Sequence, residues 1–369
     1  MGLYSTEDYF IRIYRERGGD IMRRLCLSSF GRSAALRCWF ITCLMFLLTP
    51  STSVFSQDTE LEQAIITYQS ADFDGAIQQF AALAEDTAEE NQVRRQALQY
   101  LGRAYVAKRM EDQARRVIHD LLELEPPLVE LDPDVESPPL MNLYYEVRKE
   151  FEGDYMVERA DPGLQTMAVI DFNNNSITSD QEQLEPLGKG LSSLMINHLN
   201  GSTDLKVVER ERLQWLLQEL DLQKDQSRVD QETAVRAGKL LGATAVLIGD
   251  FMKMSQRSMV INVRLVKVET GEVLMTEQVH GRPDRFYEMA EDLSLKVAQG
   301  INVHLDKTKL GGGTDTRSLD AMLSYSEGLA LLEKRDYRAA YEKFLEALNY
   351  DPSYKRAKLK ADSIKPLLT

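Results

Sequence analysis

The apolar residues of this 369-residue chain change their spacing twice, and that change constrains the fold more than any other feature. From Leu61 to Glu125, and again from Ser318 onward, they recur every three or four residues, the repeat of one helix face. Between residues 165 and 305 short apolar runs and period-two alternation alternate with helical stretches. The two patterns are not interchangeable, because a helical spacing does not bury one face of a strand. The chain therefore reads as an α/β (α+β) sandwich flanked by all-α helical hairpins.

Within the middle region, Thr166 to Phe172 is a nearly unbroken apolar run closed by Asn173-Asn174-Asn175, hence a buried strand. Leu205 to Val208 is a second strand, leading into a helix with Leu213, Leu216, Leu217 and Leu220 inward. Asp230 is placed to cap a helix that Gly242 ends. Strands follow at Ala243–Met254, Met259–Val268 and Glu272–His280, the last two joined by a tight turn at Thr270-Gly271. A helix from Pro283 to about His304 completes the unit, and Gly311-Gly312-Gly313 is a flexible link.

The flanks carry a more specific spacing. Leu101-Gly102, Tyr105, Ala114, Ile118, Leu121 and Pro126 resemble a tetratricopeptide (TPR) repeat, in which small residues let two antiparallel helices approach. An earlier copy reads Tyr68, Asp72-Phe73, Ala76, Phe80, Leu83, and a later one Gly328, Arg335-Asp336-Tyr337, Ala340, Phe344, Ala347, Pro352. Residues Tyr354 to Leu368 supply a basic, polar-faced helix to cap the stack. The resemblance implies a concave groove for a protein partner, faced by Gln99, Arg103 and Val106 in one repeat and Tyr325, Leu329 and Leu332 in another. Pro126, Pro127, Pro133, Pro138 and Pro139 make a linker or elbow, followed by a helix through Leu140, Leu143, Tyr144, Val147 and Phe151. The expected organisation is a leader at 1–56, repeats at 57–125, linker and helix at 126–164, the α/β domain at 165–305, a Gly-rich link at 306–317 and a final repeat with its cap at 318–369.

The leader is read from order: Arg23, Arg24, Arg32 and Arg37, then an uncharged apolar run from Cys38 to Leu48, then small residues to Ser56. As a helix that run spans roughly 16 Å, about half a bilayer's hydrocarbon core, so it suits a cleaved signal better than an anchor. Cleavage is expected before Gln57, and Met22 is a candidate start. The net charge of −14 becomes more negative once the arginine-rich leader is gone. Such a charge disfavours nucleic acid and an anionic lipid surface as partners, and leaves membrane association at most peripheral. All three cysteines fall in the leader, so the body has neither a disulfide framework nor a cysteine-bound metal.

Five segments then resemble one family: AVIDF (168–172), LGKGLSSLMINHL (187–199), KVVERERLQWLLQE (206–219), AGKLLGATAVLIGDF (237–251) and INVRLVKVETGEVL (261–274). They are similar to the domain of the CsgG family of curli production assembly/transport components, which includes holdfast-anchoring proteins. The resemblance implies an exported, periplasmic, outer-membrane-associated protein acting in the secretion or assembly of surface structures, with room for self-association through this domain. Channel members of that family carry two amphipathic β-hairpins that build a transmembrane barrel. Here the first position holds only Ser255-Gln256-Arg257-Ser258 and the second only Gly281-Arg282-Pro283. A membrane hairpin needs about twice 9–11 residues, so no pore is expected.

Chemistry finds little footing. Gly188-Lys189-Gly190 lacks the rest of a phosphate loop and reads as a helix start close to a strand. Asp171 reads as a turn-forming acid, and Glu209 with Arg210 as an ion pair at a helix start. His119, His198, His280 and His304 share no spacing. No catalytic, metal or cofactor residues are assigned, and the expected role is a non-enzymatic scaffold that recruits envelope proteins through its TPR groove. The alternative is a regulator of an envelope enzyme such as a cell-wall synthase.

Overall fold

The computed structural model describes residues 53–86, 91–124, 130–153, 165–200, 205–219, 230–306, 310 and 313–369. The chain divides into a unit of residues 1–58 and one from Thr59 to Thr369. The expected leader lies outside the described residues but for the first turn of one helix.

The N-terminal flank folds as α1 (Ser53–Gln69), α2 (Phe73–Glu85), α3 (Asn91–Ala107), α4 (Glu111–Glu123) and α5 (Pro138–Glu152). Ala76, Phe80, Ala114 and Ile118, all picked out by spacing, are buried between these helices. The elbow is shorter than its prolines suggest, because Pro138 and Pro139 open α5 instead of preceding it. A proline in the first turn has no amide to lose, so it starts a helix as readily as it stops one.

The middle region folds as β1 (Gln165–Val169), β2 (Asn173–Asn174), α6 (Gln181–Leu184), α7 (Leu187–Leu199), β3 (Leu205–Val207), α8 (Arg210–Glu219), α9 (Gln231–Leu240), β4 (Ala245–Ser255), β5 (Ser258–Lys267), β6 (Val273–Gly281) and α10 (Phe286–Gly300). These strands form one six-stranded sheet in the order β3-β1-β4-β5-β6, with β2 beside the distal part of β4. The β3, β1 and β4 strands are mutually parallel, and the β4-β5-β6 meander is antiparallel. The fold is thus the mixed α/β sheet flanked by helices that the periodicity implied. Period two sends Met167, Val169, Leu247 and Val263 to one face, into a core shared with α7 and α10. Ala168, Ile170, Val246 and Ile248 point the other way, into a core shared with α8, α9 and the N-terminal helices. The outer edge of β6 is partly guarded: Lys296 Nζ of α10 donates to the Gln278 carbonyl at 3.3 Å.

The C-terminal flank comprises α11 (Leu319–Glu333), α12 (Tyr337–Tyr350) and α13 (Lys355–Ile364). Three of the helix–helix turns share one backbone pattern. The amides of Ala71 and Asp72 donate to Tyr68 and Thr67, those of Arg109 and Met110 to Val106 and Tyr105, and those of Arg335 and Asp336 to Leu332 and Leu331. In each the first residue is left-handed, at φ 64°, 58° and 59°. Asp72 and Asp336 then cap the second helix of their hairpins, worth about 1 kcal/mol each. α13 departs from the expected polar-faced cap. Arg356, Ala357, Lys360, Ala361 and Ile364 are buried, so two of its basic residues point inward, which only a set of opposing carboxylates makes tolerable.

Candidate functional site: a charged junction at the strand ends

The helix after β1 covers one face of the sheet and the helix after β3, its parallel neighbour, covers the other. Chains that leave adjacent strand ends in opposite directions open a crevice there, the usual ligand position of an open α/β sheet. In this protein the crevice is filled with charge. Asp171, just past β1, accepts two bonds from Arg210, just past β3: Nε to Oδ1 at 3.0 Å and Nη2 to Oδ2 at 2.9 Å. Lys189 Nζ lies 3.1 Å from Asp171 Oδ2, Ser192 Oγ donates to Oδ1 at 2.8 Å, and Gln214 Nε2 to Oδ2 at 3.2 Å. The fourth charge comes from the C-terminal flank. Glu333, the last residue of α11, accepts from Lys189 at 2.7 Å and also from Arg210.

Burial by itself raises the Asp171 carboxyl, but Arg210 and then Lys189 outweigh it and hold the group well below the usual carboxylate range. The cluster sets two carboxyl groups against two basic side chains, so its formal charges balance. Lys189 reaches them because α7 starts tight against the strand: a Cβ on Gly188 would stand 2.0 Å from the Phe172 carbonyl oxygen. The expected close helix start is therefore present. The expected pair of Glu209 with Arg210 is not. Successive residues of a helix start point apart, so Arg210 turns to Asp171, while Glu209 accepts a bond from Tyr145 Oη of α5 at 2.9 Å. Burial pushes the Glu209 carboxyl up to about 7, against the Tyr145 bond.

A second charged group joins all three parts of the chain. Arg356 Nε lies 3.2 Å from Asp134 in the elbow, and its Nη1 lies 3.1 Å from Asp315 and 3.2 Å from the Ser193 carbonyl of α7. Lys360 Nζ donates to Glu211 at 2.7 Å and to the Pro133 carbonyl at 2.8 Å, and lies 3.2 Å from Asp134. Packing supports the same contact, because a Cβ on Gly190 of α7 would meet Ser326 Oγ of α11 at 2.1 Å.

Beside the first cluster lies a cavity of about 70 Å³. Its walls come from α5 (Met141, Asn142), α8 (Gln214, Trp215, Gln218), α11 (Leu329, Leu332), the turn after it (Arg335) and the start of α12 (Tyr337). A wider cleft runs through the N-terminal helices, floored by Leu98, Leu101, Tyr105 and Val117 and rimmed by Arg94, Arg116 and Asp120.

The residues expected to face a partner groove fall in different surroundings. Arg103 pairs with Glu136 of the elbow at 2.6 Å and stacks on Tyr100; Gln99 is half-buried and Val106 buried. The recess beside Arg103 is walled by Leu359, Pro366 and Leu367, the chain's own C-terminal end. Tyr325 is fully buried against Phe344 and Tyr354, with α7 packed on its helix, whereas Leu329 and Leu332 reach the junction cavity. The histidines remain apart. His198 is enclosed between α7 and α10, with Nδ1 3.3 Å from Ser294 Oγ and Nε2 unbonded, and burial lowers it to about 4. His119 sits with Asp120 and Glu123 on one exposed turn of α4, their ligand atoms within 4.8 Å. Among the described residues, no helix is long and apolar enough to cross a membrane.

Sequence reasoning named Asp171, Arg210 and Lys189 without joining them, and passed over Glu333, Arg356 and Lys360. The available signal was inward charge on helices whose apolar faces were already assigned.

The C-terminal domain of LpoB from Salmonella enterica is similar at 20% identity over 34% of this chain and 88% of that one, TM-score 0.25. TolB from Acinetobacter baumannii is similar at 16% over 37% of this chain and 28% of its own, TM-score 0.26. The PelC dodecamer of Paraburkholderia phytofirmans is similar at 16% over 38% and 90%, TM-score 0.23. No curated protein matches the chain. Residues 156–258, the segment that holds Asp171, Lys189 and Arg210, match the family model of the curli production assembly/transport component CsgG.

Proposed function

We propose that this protein is a non-enzymatic scaffold of the bacterial envelope, exported to the periplasm and working beside the outer membrane with machinery for surface structures. The observation that carries this reading is the match of residues 156–258 to the CsgG family combined with the way β4 and β5 are joined. Their pairing runs on to Ser255 opposite Ser258, so the connection is a two-residue turn, and β6 leads directly into a short helical turn at Pro283. The domain is kept while the positions of the pore hairpins are closed. In this reading the flanks act as TPR units, and the cleft floored by Leu98, Leu101, Tyr105 and Val117 recruits other envelope proteins or a second copy.

The test is capture from a detergent-free envelope extract on the immobilised full chain. The rim pair Arg116→Glu with Asp120→Lys is expected to lose partners that the unaltered chain retains. An unchanged set of bound proteins would defeat recruitment through this cleft. Should the captured partner be a cell-wall synthase, its rate with and without the chain separates a regulator from a scaffold.

A further inference from the structure

We propose that the junction cavity is a second binding site, and that it takes a bulky apolar side chain lying next to a carboxylate in a partner polypeptide. The inference goes beyond recruitment at the N-terminal cleft and rests on the same reading of the chain as a protein-binding scaffold. Three observations select the occupant. Met141, Trp215, Leu329 and Leu332 are each at most 9% exposed and present apolar surface to a cavity of about 70 Å³, room for several waters or the end of one large side chain. The charges around it are spent on one another: Glu136 on Arg103, Glu211 on Lys360, Glu333 on Arg210 and Lys189. Arg335 is the exception, exposed at the edge with no carboxylate partner among the described residues. Of the charged side chains that line the cavity, Arg335 is therefore the one left to pair with a carboxylate brought by a ligand. Finally, the side-chain amides of Asn142 and Gln218 line the same space and make no hydrogen bond to a described residue, which suits a peptide backbone better than a hydrocarbon tail. Because the walls come from the N-terminal flank, the central domain and the C-terminal flank, occupancy requires all three to be docked and adds to the stability of that assembly.

Trp215 supplies the readout, since Trp39 is the only other tryptophan. The experiment titrates the full chain carrying Trp39→Phe with N-acetyl-aspartyl-phenylalaninamide, following indole emission and thermal midpoint together. Saturation with a raised midpoint is expected. The asparaginyl and the aspartyl-alanyl analogues should each bind roughly tenfold more weakly, a difference of about 1.4 kcal/mol. Arg335→Gly should erase the preference for aspartyl over asparaginyl, since glycine adopts the φ of 59° freely and the fold is not at risk. Arg338→Gly, on a neighbouring exposed arginine, should leave it intact. No saturation by about 10 mM, or a preference that survives Arg335→Gly, overturns the proposal. Binding of decanoate in place of the dipeptide also overturns it, in favour of a lipid-like ligand. Capture through the N-terminal cleft is scored separately, so a negative result here leaves that reading standing.

Discussion

The two helical flanks dock on the central domain by different means. On the N-terminal side, α5 meets α8 through aromatic surface. Tyr145 packs 5.6 Å from Trp215 and 5.6 Å from Tyr144, and its one buried polar contact is the hydroxyl given to Glu209. On the C-terminal side, α11 shares an apolar core with α7 through Met322, Tyr325 and Leu329, and α11 and α13 add a glycine-thin contact and two clusters of ions. Apolar docking depends on area and forgives small changes. Ionic docking of buried groups adds little net free energy, because desolvation offsets attraction, yet it punishes the loss of any single partner. The C-terminal flank is therefore held with more specificity, the N-terminal flank with more tolerance.

The largest effect that separates the two should come from Arg356→Met. It leaves the enclosed Asp315 carboxylate without its cation and Asp134 with Lys360 alone, and a loss of about 3–5 kcal/mol is expected in urea-induced unfolding. Tyr145→Phe on the other side keeps the ring and drops only the hydroxyl, and should cost about 1 kcal/mol. Equal losses would erase the distinction.

Acidity should sort the faces next. His198, between α7 and α10, is lowered to about 4, so the unfolded chain binds its proton first. Its contribution is complete above pH 6.5 and is lost as pH falls toward 4, up to about 3 kcal/mol. Glu209, against Tyr145, is raised to about 7, so the native state holds the proton longer. Its contribution is complete below pH 4.5 and is lost as pH rises through 7, by a similar amount. Unfolding free energies from pH 4.5 to 7.5 should accordingly change slope in opposite senses in His198→Gln and Glu209→Gln. A wild-type slope unaltered by either variant would remove both groups from the account.

Much of this architecture was legible beforehand because burial follows period. The strand and helix faces at Met167, Val169, Leu213, Phe80 and Phe344 needed only spacing and the size of side chains. The junction was not legible, for a physical reason. Asp171, Arg210 and Glu333 are separated by 39 and 123 residues, and each alone resembles an ordinary surface charge. What makes them a cluster is the order of the strands, which puts the ends of β1 and β3 side by side, and the return of α11 over that end. Arg356 and Lys360 illustrate the same limit. On a basic stretch they suggest a solvated face, and only the acids brought from Asp134, Glu211 and Asp315 turn that face inward.

The hairpin turns offer a gentler probe, of about 1 kcal/mol. Ala71, Arg109 and Arg335 hold left-handed φ at a cost that glycine avoids. Ala71→Gly and Arg335→Gly should each raise the unfolding free energy by that order, one on each side of the molecule. If only one does, the shared hydrogen-bond pattern of these turns hides unequal strain.

The smallest effect is expected from the ion pairs that reinforce the N-terminal dock from outside. Lys149 of α5 reaches Glu219 of α8 at 3.1 Å, and Lys206 reaches Glu130 at 3.1 Å, with every partner at least a fifth exposed. Pairs of this kind trade weak attraction in water against the entropy of two long side chains and contribute about 0–1 kcal/mol. Lys149→Met should shift stability by no more than that, and the shift should vanish in about 1 M salt, where screening acts within about 3 Å. Arg356→Met should keep most of its cost in the same salt, since ions do not enter a buried cluster. A salt-insensitive loss at Lys149, or a salt-sensitive one at Arg356, would mean that exposure has been assigned to the wrong face of the molecule.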